Sequence, residues 1–171
     1  YIVISDILTI ENRLLEAEQV LLLARNVDPG NSDLLYNFSR LYWSGKNYGL
    51  ALKNINKAID LNNNIDTYKI FKSDVLICRD QIDEALSILS VLKSDEKNNN
   101  QLQINILLSQ IYIRKKMFKN AEEVLFKLVN EYSHLEIGYL NLSDLYVVTK
   151  ELDKGINIIK KGLSLFPNYL P

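Results

Sequence analysis

The stretch Leu35-Tyr36-Asn37-Phe38-Ser39-Arg40-Leu41-Tyr42, followed by Tyr48, Ala51, Ile55 and Ala58, decides how this chain is read. Its residues recur at a fixed distance on both sides. The chain has six alanines: Ala17, Ala24, Ala51, Ala58, Ala85 and Ala121. Ala17, Ala51 and Ala85 are 34 residues apart, Ala121 follows 36 later, and Gly155 stands another 34 beyond. A second small column lies seven residues on, at Ala24, Ala58 and Gly162, with Leu92 and Leu128 in the two remaining places. Twelve residues before each member of the first column is a serine: Ser5, Ser39, Ser73, Ser109 and Ser143. Leu8, Tyr42, Leu76, Tyr112 and Tyr146 follow the serines by three, and Leu14, Tyr48, Ile82, Phe118 and Leu152 come six after those. Leu21, Ile55, Leu89, Leu125 and Ile159 lie four past the small column. A period of this length marks a stacked-repeat architecture.

Spacings of three, four and seven place residues on one helical face. Each repeat therefore reads as two amphipathic helices. The breaks fall near Asn12-Arg13, Gly45-Lys46, Asp80-Gln81, Lys115-Lys116 and Lys150-Glu151, with Gly45 assigned to a turn. Pro29 and Pro167 stand twelve past the small column, where a second helix should end. Small residues let neighbouring helices approach closely, and a single helical hairpin cannot bury both its faces, so the copies must share a continuous core.

Tyr139-x-x-Leu142-Ser143-x-x-Tyr146 with Gly155, Ile159 and Pro167, and the opening stretch with Ala51, Ile55 and Ala58, resemble the tetratricopeptide motif. The resemblance covers essentially the whole chain. It implies an all-α fold, a right-handed superhelical solenoid of five helix-turn-helix repeats, at about 1–31, 32–65, 66–101, 102–135 and 136–169. Two departures stand out. Lys69 and Lys72 occupy places where the family has large apolar residues, so the third repeat's first helix is expected to be less well packed or slightly rotated. Residues 93–100 carry the two extra residues and are expected to form a mobile loop.

Lys plus Arg number 20 against 21 Asp plus Glu. The basic excess that displaces counterions from phosphates is thus missing, which argues against a nucleic-acid partner. The longest aliphatic run, Val20 to Ala24, is far short of the ~20 residues of a membrane span. Cys78 is the lone cysteine, which precludes an intrachain disulfide and leans toward a cytoplasmic setting. The chain does not begin with methionine, and it reads as a piece of something longer.

Enzyme chemistry finds no support. His134 is the sole histidine and falls in the turn before the last repeat, so a two-His metal site within one chain is impossible. Gly-rich phosphate loops, nucleophile elbows and paired-cysteine metal motifs are all missing. The expectation is a non-enzyme with no cofactor and no metal.

In tetratricopeptide arrays the first helices line a concave groove. Carried onto this sequence, that face consists of Tyr36, Asn37, Arg40 and Trp43, then Ile70, Phe71, Asp74 and Ile77, then Ile106, Gln110 and Ile113, then Leu140, Asn141 and Asp144. Two readings of it stay open. In one, the apolar members pack the first helices against each other while Arg40 and Asp74 neutralise one another. In the other, an aromatic, weakly charged floor docks an apolar peptide or helix, with Trp43 partly exposed as its anchor. The lysine- and arginine-rich carboxylate clamp of chaperone-adaptor arrays is not reproduced, since only Asn37 matches.

The resemblance therefore implies a protein-interaction module that holds a peptide or helical segment of a partner protein. The alternative is an accessory repeat region of a larger enzyme, such as a glycosyltransferase, presenting a protein acceptor. For that role a ladder of groove asparagines is thin, with Asn37 and Asn141 its only members. The last helix, roughly Leu152 to Phe166, sets Ile156, Ile159, Leu163 and Phe166 at helical spacing, with only Asn168, Tyr169, Leu170 and Pro171 after Pro167. This leads to the expectation that the natural protein continues past both ends, or self-associates through the C-terminal repeat.

Overall fold

Five times along the chain a helix is stopped by one residue in the left-handed region and restarted two residues later. The computed structural model describes residues 1–95 and 98–166. Among them are ten helices and no strand: α1 (Ile2–Ile10), α2 (Leu14–Val27), α3 (Ser32–Ser44), α4 (Tyr48–Leu61), α5 (Asp66–Cys78), α6 (Ile82–Lys93), α7 (Gln101–Arg114), α8 (Phe118–Glu131), α9 (Glu136–Val148) and α10 (Leu152–Leu165). Pro167, the four residues after it, and Glu96 and Lys97 of the expected loop lie outside the described residues.

Within each repeat the turn has one geometry. Asn12, Lys46, Asp80, Lys116 and Lys150 have φ of 60°, 58°, 60°, 56° and 63°. Each N–H there donates to the carbonyl three residues back, as Lys46 does to Trp43 at 2.9 Å. The next N–H reaches five back: Arg13 to Leu8, Asn47 to Tyr42, Gln81 to Leu76, Met117 to Tyr112 and Glu151 to Tyr146, at 2.8–2.9 Å. These paired bonds form a Schellman motif, which satisfies carbonyls left open at the helix end. The acceptor of the longer bond is always the large residue three past the serine. Gly45 is not the residue that needs glycine's conformational freedom, because its φ is −76°. It is small for another reason: a Cβ there would sit 3.3 Å from Leu14 Cδ1.

The columns read from the sequence form the core. Ala17, Ala51, Ala85 and Ala121 are all fully buried, and so are Leu21, Ile55, Leu89 and Leu125. All five serines are buried as well. Ser39 Oγ donates to the Ala51 carbonyl at 2.7 Å, bridging α3 and α4, whereas Ser109 and Ser143 bond back to the carbonyls of Ile106 and Leu140 in their own helices. Asn31 and Asn47 start α3 and α4 by accepting from the N–H groups of Leu34 and Leu50.

The helices group into two compact units, Tyr1–Leu92 and Lys93–Pro171. In the first, Leu8, Ala17, Leu21, Leu34, Phe38 and Leu41 make one cluster, and Ile55, Ala58 and Tyr68 another. In the second, Ala121, Leu125, Leu128 and Val129 of α8 pack with Tyr139, Leu142, Leu145 and Tyr146 of α9. The two lysines of the third repeat are accommodated at the edge of α5: Lys72 pairs with Glu84 at 3.2 Å and Lys69 with Asp66 at 3.6 Å. The helix still buries Tyr68, Ile70, Ser73, Val75, Leu76 and Ile77.

Candidate peptide-binding surface

In the first unit, α1, α3 and α5 bring a run of aromatic and charged side chains to one surface. Tyr36 stacks on the buried Tyr68 at 5.1 Å between ring centroids and meets Phe71 edge-on at 5.4 Å. Trp43, two helical turns further along α3 on the same face, also meets Phe71 edge-on, at 6.2 Å. The Arg40 guanidinium lies 5.7 Å from the centre of the Tyr36 ring. Burial is the main reason the Tyr36 hydroxyl is pushed above its ordinary pKa. Beside these residues opens a cleft of about 200 Å³ lined by Asp6, Thr9, Asn37, Arg40, Trp43 and Phe71, among others.

The charges on this surface pair differently from the sequence expectation. Arg40 Nη1 donates to Asp6 Oδ1 at 2.9 Å and to Asn37 Oδ1 at 3.1 Å. Asp6 lies 34 residues before Arg40 and Asp74 lies 34 after, so both acids were one repeat away, and α1 supplies the partner. Asp74 has no ion pair among the described residues. Its carboxyl is pushed above the usual carboxylate range by burial, with no cation nearby to bring it down.

Trp43 is half-buried, and its indole Nε1 is shielded from solvent with no acceptor among the described residues. An unmade hydrogen bond of this kind costs about 1–3 kcal/mol, so the position favours any ligand that offers an acceptor. Of the other residues expected here, Phe71 is half-buried, whereas Ile70 and Ile77 are 5% and 2% exposed. These two isoleucines belong to the packing of α5, and they offer almost no surface to a ligand. Asn37 is also buried, with Nδ2 donating to the Asp33 carbonyl at 2.7 Å. Its role is to hold Arg40. Thr9, Ile10 and Ser44 line the cleft without having been singled out in the sequence, because they sit at the ends of α1 and α3, outside the repeating face.

In the second unit, Ile106 and Ile113 of α7 are half-buried against the α8–α9 core. Gln110 and Asp144 are exposed, and Leu140 and Asn141 are half-buried. Asn141 Nδ2 and both amide atoms of the fully buried Asn105 have no hydrogen-bond partner among the described residues. No group of three or more metal-ligating side chains occurs among the described residues, and no helix there is long and apolar enough to cross a membrane.

Residues 32–65, which form α3, α4 and the turns around them, match the family model of the tetratricopeptide repeat. That stretch is a tetratricopeptide repeat. Solved structures similar to the chain carry the same architecture at low identity. PilW, described as a widely conserved type IV pilus biogenesis factor, is 14% identical with a TM-score of 0.85, over 98% of this chain and 76% of that one. PilF of Pseudomonas aeruginosa is 16% identical with a TM-score of 0.81, over 96% and 74%. MamA of Desulfovibrio magneticus RS-1 is 17% identical with a TM-score of 0.77, over 98% and 94%. No curated protein matches the sequence. Tetratricopeptide arrays are in general non-enzymatic and bind protein partners, so the five repeats place the chain in a fold typical of interaction modules.

Proposed function

We propose that this chain is a non-enzymatic binding module that holds an apolar peptide or helical segment of a partner protein across α1, α3 and α5. The observation that carries the reading is Trp43: half-open, set among Tyr36 and Phe71, and holding an indole N–H with no acceptor. Aromatic side chains in this state are the usual anchors of protein interfaces. A partner backbone carbonyl or side-chain oxygen seated in the cleft satisfies the indole while an apolar side chain covers the ring. Asp74, on the same face of α5 as Phe71, adds a preference for a basic residue next to that anchor. A cation brought beside the carboxyl favours its ionised form and offsets its burial.

The asparagine-ladder role draws no support from α3, since both ends of the Asn37 amide are already engaged. The test is a selection of displayed peptides on the intact chain, followed by titration of the best binder. Trp43 is the only tryptophan, so its fluorescence reports engagement directly. Trp43→Ala should weaken the selected peptide by ~2 kcal/mol or more, about thirtyfold. Peptides that bind the variant as well as the parent chain would refute the site.

A further inference from the structure

Four residues link α2 to α3 (28–31), α4 to α5 (62–65) and α8 to α9 (132–135), whereas seven link α6 to α7 (94–100). At that longer link the second unit holds a cavity of about 750 Å³, whose lining includes Lys93, Asn99, Gln101, Lys127, Glu131 and Tyr132. Lys93 is the last residue of α6, Lys127 and Glu131 lie one turn apart on α8, and Tyr132 caps that helix. Gln101, the first residue of α7, fixes one wall, its Nε2 donating to the Asp95 carbonyl at 2.8 Å. None of these residues belongs to the Trp43 surface.

The lining is short of acceptors. Glu131 is its one acid among the described residues, and it stands 3.6 Å from Lys127 in a loose, half-exposed pair. Lys93 is half-buried and makes no ion pair among the described residues. Burial and, after it, the charge of Lys127 hold the Lys93 ammonium below the usual lysine range, and Glu123, one turn before Lys127 on α8, offsets them only in part. Two ammonium groups thus face one cavity, and each is better placed with an anion between them.

We propose that this cavity takes a carboxylate from an acidic segment of a partner protein, with Lys93 and Lys127 as its cations and the Asn99 amide and Tyr132 hydroxyl as donors beside them. Charge decides the class of anion. Two lysines against one glutamate leave the lining a single positive charge to balance, which suits one carboxylate. A phosphate monoester carries about −1.5 to −2 at neutral pH and sets its second charge against Glu131. Size decides the rest, because a carboxylate group fills only a small part of this cavity and leaves room for the side chain and backbone that carry it.

The test is a titration of the full ¹⁵N-labelled chain with a capped Ala-Ala-Glu-Ala-Ala peptide, beside its Gln counterpart and inorganic phosphate. The Glu peptide should shift the backbone amides of Asn99, Gln101, Lys127 and Tyr132 and leave the Trp43 indole peak in place. The Gln peptide should shift none of them, and phosphate should bind more weakly. Lys93→Gln and Lys127→Gln should each weaken the Glu peptide about tenfold or more, and Glu131→Gln should tighten it. Lys119→Gln removes an exposed lysine of α8 outside the cavity and should change nothing. These side chains are all at least partly exposed, so the variants keep the fold, which their amide spectra check. A Glu peptide that leaves the four amides unmoved overturns the proposal. So does a Gln peptide or phosphate that binds as tightly, or a Lys93→Gln chain that binds no worse than Lys119→Gln.

Discussion

Replacing Ala51 with leucine tests whether the small column sets the distance between paired helices. Ala51 is fully buried, and its own carbonyl accepts the Ser39 hydroxyl at 2.7 Å. The backbone of α4 is therefore in direct contact with a side chain of α3, with no gap to take up three more carbons. Overpacking a site of this kind costs about 1–3 kcal/mol. Pushing α4 outward also breaks the Ser39 bond and strands a buried hydroxyl, a further ~1–3 kcal/mol. The expected loss is about 2–6 kcal/mol. For a chain of this size each kcal/mol lowers Tm by roughly 2–4 °C, so a thermal melt followed by circular dichroism should fall by at least about 4 °C and by up to about 24 °C. Leu15→Ala is the control, at a site 78% exposed, and should change stability by no more than about 0.5 kcal/mol. An Ala51→Leu melt that coincides with that of the control would show that the column does not govern helix spacing.

Three further outcomes follow from the turns and the junctions. Lys116 holds φ at 56°, so Lys116→Gly should raise the urea midpoint by up to ~1 kcal/mol of stability, whereas Lys116→Val should lower it, because a β-branched residue resists that conformation. The Tyr42 hydroxyl is pushed up to about 12 by burial and by its bond to Glu18. Its ionisation is thus harder in the folded chain than in the unfolded one, and the stability it contributes is intact below pH ~10 and lost as pH rises toward 12. Alkaline titrations of the parent and of Tyr42→Phe should accordingly converge between these values, and curves that stay parallel would contradict the assignment. Asp6→Asn should release Arg40 and weaken the Asp6–Arg40–Asn37 network, altering peptide affinity while shifting Tm by less than Ala51→Leu does.

The repeat was legible because stacked copies impose the same steric demand at the same place. Only small residues fit where α3 crosses α4, so Ala51 and its counterparts surface as a column, and the serines and large apolar residues follow. Element boundaries came with them, since each break falls at a Schellman turn. The residue that makes the turn was less visible. Asn12 and Asp80 are types that accept a positive φ, but Lys46, Lys116 and Lys150 are not, and they are held there by backbone hydrogen bonds that leave no trace in side-chain chemistry.

The binding face was legible in part. The tetratricopeptide resemblance put Tyr36, Arg40, Trp43, Phe71 and Asp74 on one side, and the structure gathers Tyr36, Arg40, Trp43 and Phe71 through ring and charge contacts. It put Ile70 and Ile77 in the same columns as Tyr36 and Trp43, yet these isoleucines are buried, because exposure depends on which neighbours cover a helix and not on its own period. The partner of Arg40 was hidden by symmetry, with an acid one repeat away on either side.

The most direct measurement of the binding site is the indole Nε1–H resonance of Trp43, a single peak in a ¹⁵N-labelled sample, followed through a titration with a selected peptide. Binding as proposed seats an acceptor on that N–H and should move the resonance downfield, in step with shifts of backbone amides in Tyr36, Arg40, Phe71 and Asp74. A peptide that binds while the indole peak stays in place, with the shifts gathered instead on α2, α4 or the second unit, would contradict the site.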